Sequence, residues 1–405
     1  MFEFVALMAV MIAIPAMSID LMLPALPDIG RDLNVTYAND RQAIIVFFFL
    51  GLAGGSLFYG PLSDHFGRRA ILVSTLSLSF VMTVIAATAE SFPLLLGARL
   101  AAGFSAAACR VTVISIVRDC FRGDTMARIM SLIMMVFIII PMIAPSVGSL
   151  ILLFGPWRTI FWMLSALIFA ILIWVSLRLP ETLEKENRTA IRVRDMTVMA
   201  ATVVTNRNSI GHMLASGFML AGLVGFVTSV QQIFFDTFDA ENLFPLGFAI
   251  MAGGMAVGSL LNSRLVERFG ARRMSQGAVI SLILIASVHA LVIVSGHETV
   301  THFIMLQTLT SLCFSFAGAN FSAISLEPYS AGAGLASSIQ SFLTTILSSV
   351  LGGLVGSYFN GTPLPLALGF LIFGSVSLLL IFWAEEWRLF RRPGLVALRE
   401  SKPQL

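Results

Sequence analysis

The sequence predicts an all-α membrane protein with twelve transmembrane helices in two pseudo-symmetric six-helix bundles. Three observations predict it. First, 57% of the 405 residues are hydrophobic and 12% charged, with a mean hydropathy of +0.91, which places the chain outside the range of soluble globular domains. Second, twelve apolar segments each reach the roughly 20 residues that a helix needs to cross hydrocarbon, where open strands are forbidden because their backbone groups would go unpaired. Third, a short charged motif recurs at the same place in each half.

The segments lie near 4–26, 42–62, 70–89, 92–117, 127–153, 157–178, 210–235, 243–263, 274–295, 300–325, 333–358 and 364–384. No basic region precedes the first and further apolar segments follow it, so it reads as a span and not as a cleaved leader. Lysine and arginine set the orientation, because positively charged loops stay in the cytoplasm. With the N-terminus inside, 20 of the 25 basic residues fall in inside loops and the tail. The outside loops hold Arg31, Arg41 and Arg158, and Arg99 and Arg110 lie within the fourth span. Both termini are expected in the cytoplasm of a bacterial cell, with the chain in the inner membrane. The charged stretch after span six divides the chain into a first bundle at 1–180, a cytoplasmic linker at 181–208, a second bundle at 209–385 and a basic cytoplasmic tail at 386–405. Cys109, Cys120 and Cys313 are isolated and have no spacing suited to a metal or a disulfide framework. No Ser/His/Asp or metal constellation suggests an enzyme, and no cofactor is expected.

The repeat is specific. Gly60-Pro-Leu-Ser-Asp64-His-Phe-Gly67-Arg68-Arg69 lies between spans two and three, and an offset of 203 residues aligns it with Glu267, Gly270 and Arg272 between spans eight and nine. The first copy resembles the loop motif of the major facilitator superfamily. Ser18 to Pro27 in span one, Arg99 and Gly103 in span four, Val117-Arg118-Asp119 at its end, and Pro141 to Gly148 in span five resemble the drug/proton antiporter branch, and within it the bicyclomycin and chloramphenicol resistance group (Bcr/CflA). Ala102 stands where that group commonly has glutamine. The resemblance implies the major facilitator fold, a small-molecule substrate, and protons as the driving ion. It also implies a latch role for Gly60, Asp64, Gly67, Arg68 and Arg69, holding the two halves together on the cytoplasmic side when the transporter faces outward.

The residues support separate readings. Glycines in the loop motif allow a tight turn, and Asp64 can accept from helix-start amides or pair with an arginine; the arginines alone would also serve topology. Arg99 and Arg110 are eleven residues apart, close to three helical turns, so with Gly103 they are expected to line one aqueous face of span four. Snorkelling to the interface is the other reading for Arg110. Asp20 is the one carboxylate well inside a span, at a depth matching Arg99, and the two are expected to meet as the proton-coupling pair. A carboxylate there can change protonation, since burial disfavours its charged form and a guanidinium favours it; a static hydrogen-bonding role is the alternative. Pro141, Pro145 and Gly148 are expected to bend span five. Gln231, Gln232, Asn262, His289, Gln307, Asn320 and Gln340 in the second half are expected mainly to bond between helices. The second half has no charge at mid-span, which favours export of small amphipathic or apolar compounds such as antibiotics over a carrier for a polar metabolite. A monomer is expected, partnered by lipid, protons and substrate and by no nucleic acid.

Overall fold

The apolar runs fold as helices. A computed structural model describes residues 2–188, 190, 193–329 and 333–390. Most of the expected tail, residues 391–405, lies outside the described residues. Among the described residues, twelve helical spans are long and apolar enough to cross a membrane. The first joins α1 (Phe2–Asp20) through a 3-10 turn (Leu23–Ala25) to α2 (Leu26–Asp32). Then come α3 (Ala43–Phe66), α4 (Arg68–Ala87), α5 (Phe92–Cys120), α6 (Gly123–Leu152) and α7 (Arg158–Arg178). After the linker helix α8 (Val193–Thr205) follow α9 (Arg207–Gln232), α10 (Phe244–Phe269), α11 (Ala271–Val294), α12 (Val300–Leu326), α13 (Ala333–Ser357) and α14 (Leu364–Ala384).

Two differences from expectation have local causes. The first span continues to Asp32 because Pro24 interrupts the α-helical ladder without ending the span: it sits in the 3-10 turn, where its missing N–H can be tolerated. The linker is not wholly irregular. Met196, Met199, Ala200 and Val203 recur at helical spacing in α8, and Val203 is buried in a cluster with Met213, Tyr329, Ala336 and Ile339.

The linker and the turns at Gly67 and Gly270 each follow an even number of crossings and so share one face, the linker face; the opposite is the far face. Gly67 (φ +101°) ends α3 and Gly270 (φ +86°) ends α10, a conformation that costs glycine little and other residues much. Within the first half α5 packs on α3 at backbone contact. A Cβ on Gly103 would lie 2.0 Å from the Phe48 carbonyl oxygen, and one on Gly51 would lie 2.0 Å from that of Leu100. In the second half α9 lies against α13 and α14, and α10 against α12. The halves meet along α3 with α13 and along α6 with α10.

This contact makes Gly103 a packing residue with a measurable cost. Gly103→Leu is expected to lower the thermal midpoint of the detergent-solubilised protein by the equivalent of about 1–3 kcal/mol or more, the range for overpacking a close contact. An unchanged midpoint would mean that α3 and α5 separate freely.

Candidate functional site

A cavity of about 640 Å³ lies between the halves. It begins beside Asp20 in the first span and reaches the linker face at Asp64, Arg68, Arg118 and Asp119. Asp195 and Met196 of the linker complete its mouth. The opposite wall belongs to the second half and is uncharged among the described residues, apolar at Leu223, Phe226, Phe248 and Met255 and lined by hydroxyls at Ser311, Ser338 and Thr345; the Phe226 and Phe248 rings stack at 5.8 Å. Among the described residues every charged group lining the cavity comes from the first half or the linker.

At the far face the cavity is sealed by amides that cross between halves. Gln42 Nε2 donates to Gln232 Oε1 at 3.2 Å, and Gln232 Nε2 to Asn39 Oδ1 at 2.9 Å. Asn39 Nδ2 donates in turn to the carbonyls of Ser357 and Phe359, both at 2.9 Å. Arg41 and Asp236 add an ion pair at 3.8 Å, and Asp236 sits in a π-helical turn, Ile233–Thr237. Gln232 was identifiable from sequence as a polar residue in a span. Asn39 precedes the second apolar run and Gln42 is its first residue, so neither carried such a signal.

Asp20 and Arg99 reach the same depth, but the structure does not pair them. Arg99 Nη2 donates to the Ser18 carbonyl at 2.8 Å and Nε to that of Ile44 at 3.5 Å. Its guanidinium lies 4.3 Å from the Phe48 ring centroid and 5.9 Å from that of Phe161. Among the described residues it forms no ion pair. The reason is that α1 ends at Asp20, leaving the Ser18 carbonyl in its last turn without a ladder partner, and a cation at a helix C-terminus is favoured there. Arg99 is 2% exposed and lies behind the cavity wall, whereas Asp20 faces into the cavity. Gly103, expected on the cavity face, is covered by Phe48. Arg110 does line the cavity and is exposed into it. Three turns separate the two arginines on one helix face, but at the level of Arg99 the end of α1 and Phe48 close over that face.

The loop motif forms a network within the first half. Arg68 pairs with Asp64, donates from Nε to Asp119 Oδ2 at 3.1 Å, and from Nη1 to Ser63 Oγ at 2.7 Å. Glu181 accepts from the backbone amides of Arg68 at 2.8 Å and Arg69 at 3.3 Å, capping α4 as anions do at helix starts. Arg69 donates to the Ser176 carbonyl at 2.6 Å. The polar partners of Asp64 and both arginines among the described residues therefore come from the first half and the start of the linker, in a conformation whose cavity reaches the linker face; the expected latch belongs to the outward-facing conformation. Gly60 alone approaches the other half, where a Cβ would lie 2.8 Å from Ser338 Oγ. The second copy is built likewise: Arg272 donates to Glu385 at 2.7 Å and Glu327 at 2.8 Å, while Glu267 lies one turn before Gly270.

In the fifth span, α6 stays helical through Pro141 and Pro145. Pro141 lines the cavity, and Gly148 lets α6 touch the break in the first span, with a Cβ there 2.1 Å from the Leu21 carbonyl oxygen. In the second half, Asn320 donates to Asn262 at 2.8 Å, Gln340 to Ser322 at 2.8 Å, and Gln307 contacts His289 at 3.4 Å. None of these residues lines the cavity. Gln231 is buried with both amide atoms unpaired among the described residues.

The sequence profile of the Major Facilitator Superfamily matches residues 8–337. The chain is 27% identical over 380 residues to a Haemophilus influenzae protein named bicyclomycin resistance protein homolog, covering 90% of this chain and 92% of that one. It is 27% identical over 391 residues to the Escherichia coli multidrug resistance protein MdtL, covering 94% and 95%. A crystal structure of a D-xylose-proton symporter superposes with a TM-score of 0.76 at 12% identity, covering 96% and 98%, and shares the fold.

The partners of Arg99 define a test. Arg99→Met leaves the Ser18 and Ile44 carbonyls without their donor and is expected to cost about 1–3 kcal/mol of stability. Asp20 and Arg99 form no ion pair and are linked only through the end of α1, so a double-mutant cycle with Asp20→Asn should show coupling of at most about 0.5 kcal/mol, the low end for such linkage. A larger value would restore the direct pair.

Proposed function

The chain belongs to the Major Facilitator Superfamily, a family of membrane transporters and not of enzymes, and from that premise we propose that it is a proton-coupled exporter of small amphipathic or apolar compounds, antibiotics among them, across a bacterial inner membrane. The observation that carries this reading is the cavity: one carboxylate inside a span, Asp20, faces a space whose opposite wall has no charged or amide side chain among the described residues. A polar metabolite calls for charged or amide groups on both sides, whereas the second half offers aliphatic, aromatic and small hydroxyl side chains to this space. The names of the bacterial relatives point the same way.

In this reading the linker face is cytoplasmic, as the bias of basic residues requires. The bundles at 1–180 and 209–385 rock about the far-face seal and the linker-face contacts in alternation, as rigid-body access around a fixed site demands. Asp20 carries the proton. It gives the proton up when the cavity opens to the cytoplasm and takes one when the cavity opens outward, so that compound and proton move in opposite directions. Arg99 positions the end of α1 and with it Asp20.

Expression in an efflux-deficient host is expected to raise resistance to members of an antibiotic panel, and a protonophore should abolish the gain. Asp20→Asn should remove it with the amount of membrane protein unchanged. Resistance that survives collapse of the gradient would exclude proton coupling, and resistance to nothing would shift the reading to the metabolite carrier.

A further inference from the structure

Arg110 is the one cavity group in mid-span whose charge nothing yet accounts for. A guanidinium within a transmembrane segment is costly and is retained where it has partners or a ligand path. Arg99 has two carbonyls and two rings, and Arg68 has Asp64, Asp119 and Ser63. Arg110, on the cavity side of α5, makes no hydrogen bond and no ion pair among the described residues, and it is exposed into the cavity. Eight residues on, about 12 Å along the axis, Arg118 lines the same cavity at its mouth. Val111 and Ile114 fill the wall between them. The two cations mark one side of the route from the linker face inward, and a guanidinium there offers donors to an anionic group. Across from it stand Leu223, Phe226, Phe248 and Met255.

We propose that Arg110 anchors an ionised acid group of the substrate, so that the compounds carried are amphipathic organic acids whose apolar body lies on the Phe226 and Phe248 wall. Guanidinium presents a planar fork that matches a carboxylate, sulfonate or phosphonate in two hydrogen bonds. Asp20, Asp64, Asp119 and Asp195 also face the cavity. Of these, Asp64 and Asp119 are engaged by Arg68, Asp195 stands at the mouth, and Asp20 is the proton carrier. The inference rests on the export reading for its direction but not for the binding site itself.

The test uses three probes of one size, 4-phenylbutyrate, 4-phenylbutanol and 4-phenylbutylamine, with the full-length protein in lipid nanodiscs. Equilibrium dialysis at neutral pH is expected to show the acid binding about tenfold tighter than the alcohol, the ratio one charge-assisted contact supplies. Arg110→Gln should erase that ratio while the alcohol still binds, and Arg110→Lys should keep part of it. Should either variant fail to fold, the ranking of the probes on the unaltered protein decides alone. Equal affinities, a preference for the amine, or no binding of any probe overturns the anchor. So does an acid preference that Arg110→Gln leaves intact, or one in which that change moves only the pH dependence, since Arg110 would then serve Asp20. Flux into inverted vesicles separates the two readings. Acid-selective binding without proton-driven flux keeps the anchor and refutes export, whereas proton-driven flux of all three probes alike refutes the anchor and keeps export.

Discussion

A buried cation held by carbonyls organises the first half of this protein. Arg99 lies on α5 and reaches the end of α1 through the Ser18 carbonyl, α3 through the Ile44 carbonyl and the Phe48 ring, and α7 through the Phe161 ring. In a low-dielectric interior an unpaired guanidinium is expensive, so these acceptors must stay where they are. The carbonyl at Ser18 is available because α1 stops at Asp20 ahead of Pro24. The same interruption turns Asp20 toward the cavity and makes the groove into which α6 settles at Gly148. Helix break, buried arginine and cavity carboxylate are thus one structural unit.

Much of this was legible in the sequence, and the reasons are physical. Spans follow from length and apolarity, and the turns at Gly67 and Gly270 from glycine, charge and their spacing. Proximity was legible too: Arg99 reaches Ser18, two residues before Asp20. What hydropathy cannot convey is partner choice. A carbonyl freed by a helix end has no side chain to announce it, so the nearest opposite charge was the natural expectation for Arg99. Gly103 was placed on the cavity face by its register with Arg99, yet register does not say which neighbour covers a face. The helix α8 was overlooked because four apolar residues at helical spacing are diluted by the charges around them.

The two halves solve the same problem at the linker face with different residues. In the first, Arg68 ties the ends of α3 and α5, and Glu181 caps α4 from just beyond α7. In the second, Arg272 ties Glu327, just beyond α12, to Glu385, just beyond α14. Each network binds one half to itself. Each therefore stiffens its bundle against splaying at the end where the cavity mouth lies, and leaves the relation between bundles to α3 with α13, α6 with α10, and the amides of the far-face seal.

The cavity wall is divided between the halves by chemistry as well as by geometry. Among the described residues the charged groups that line the cavity belong to the first half and the linker, and the second half contributes volume and shape. These two properties can change independently. Replacing Phe248 or Met255 by a smaller side chain would enlarge the space without removing an ionisable group, so the size of what fits can drift through substitutions in one half while the machinery of charge stays untouched in the other.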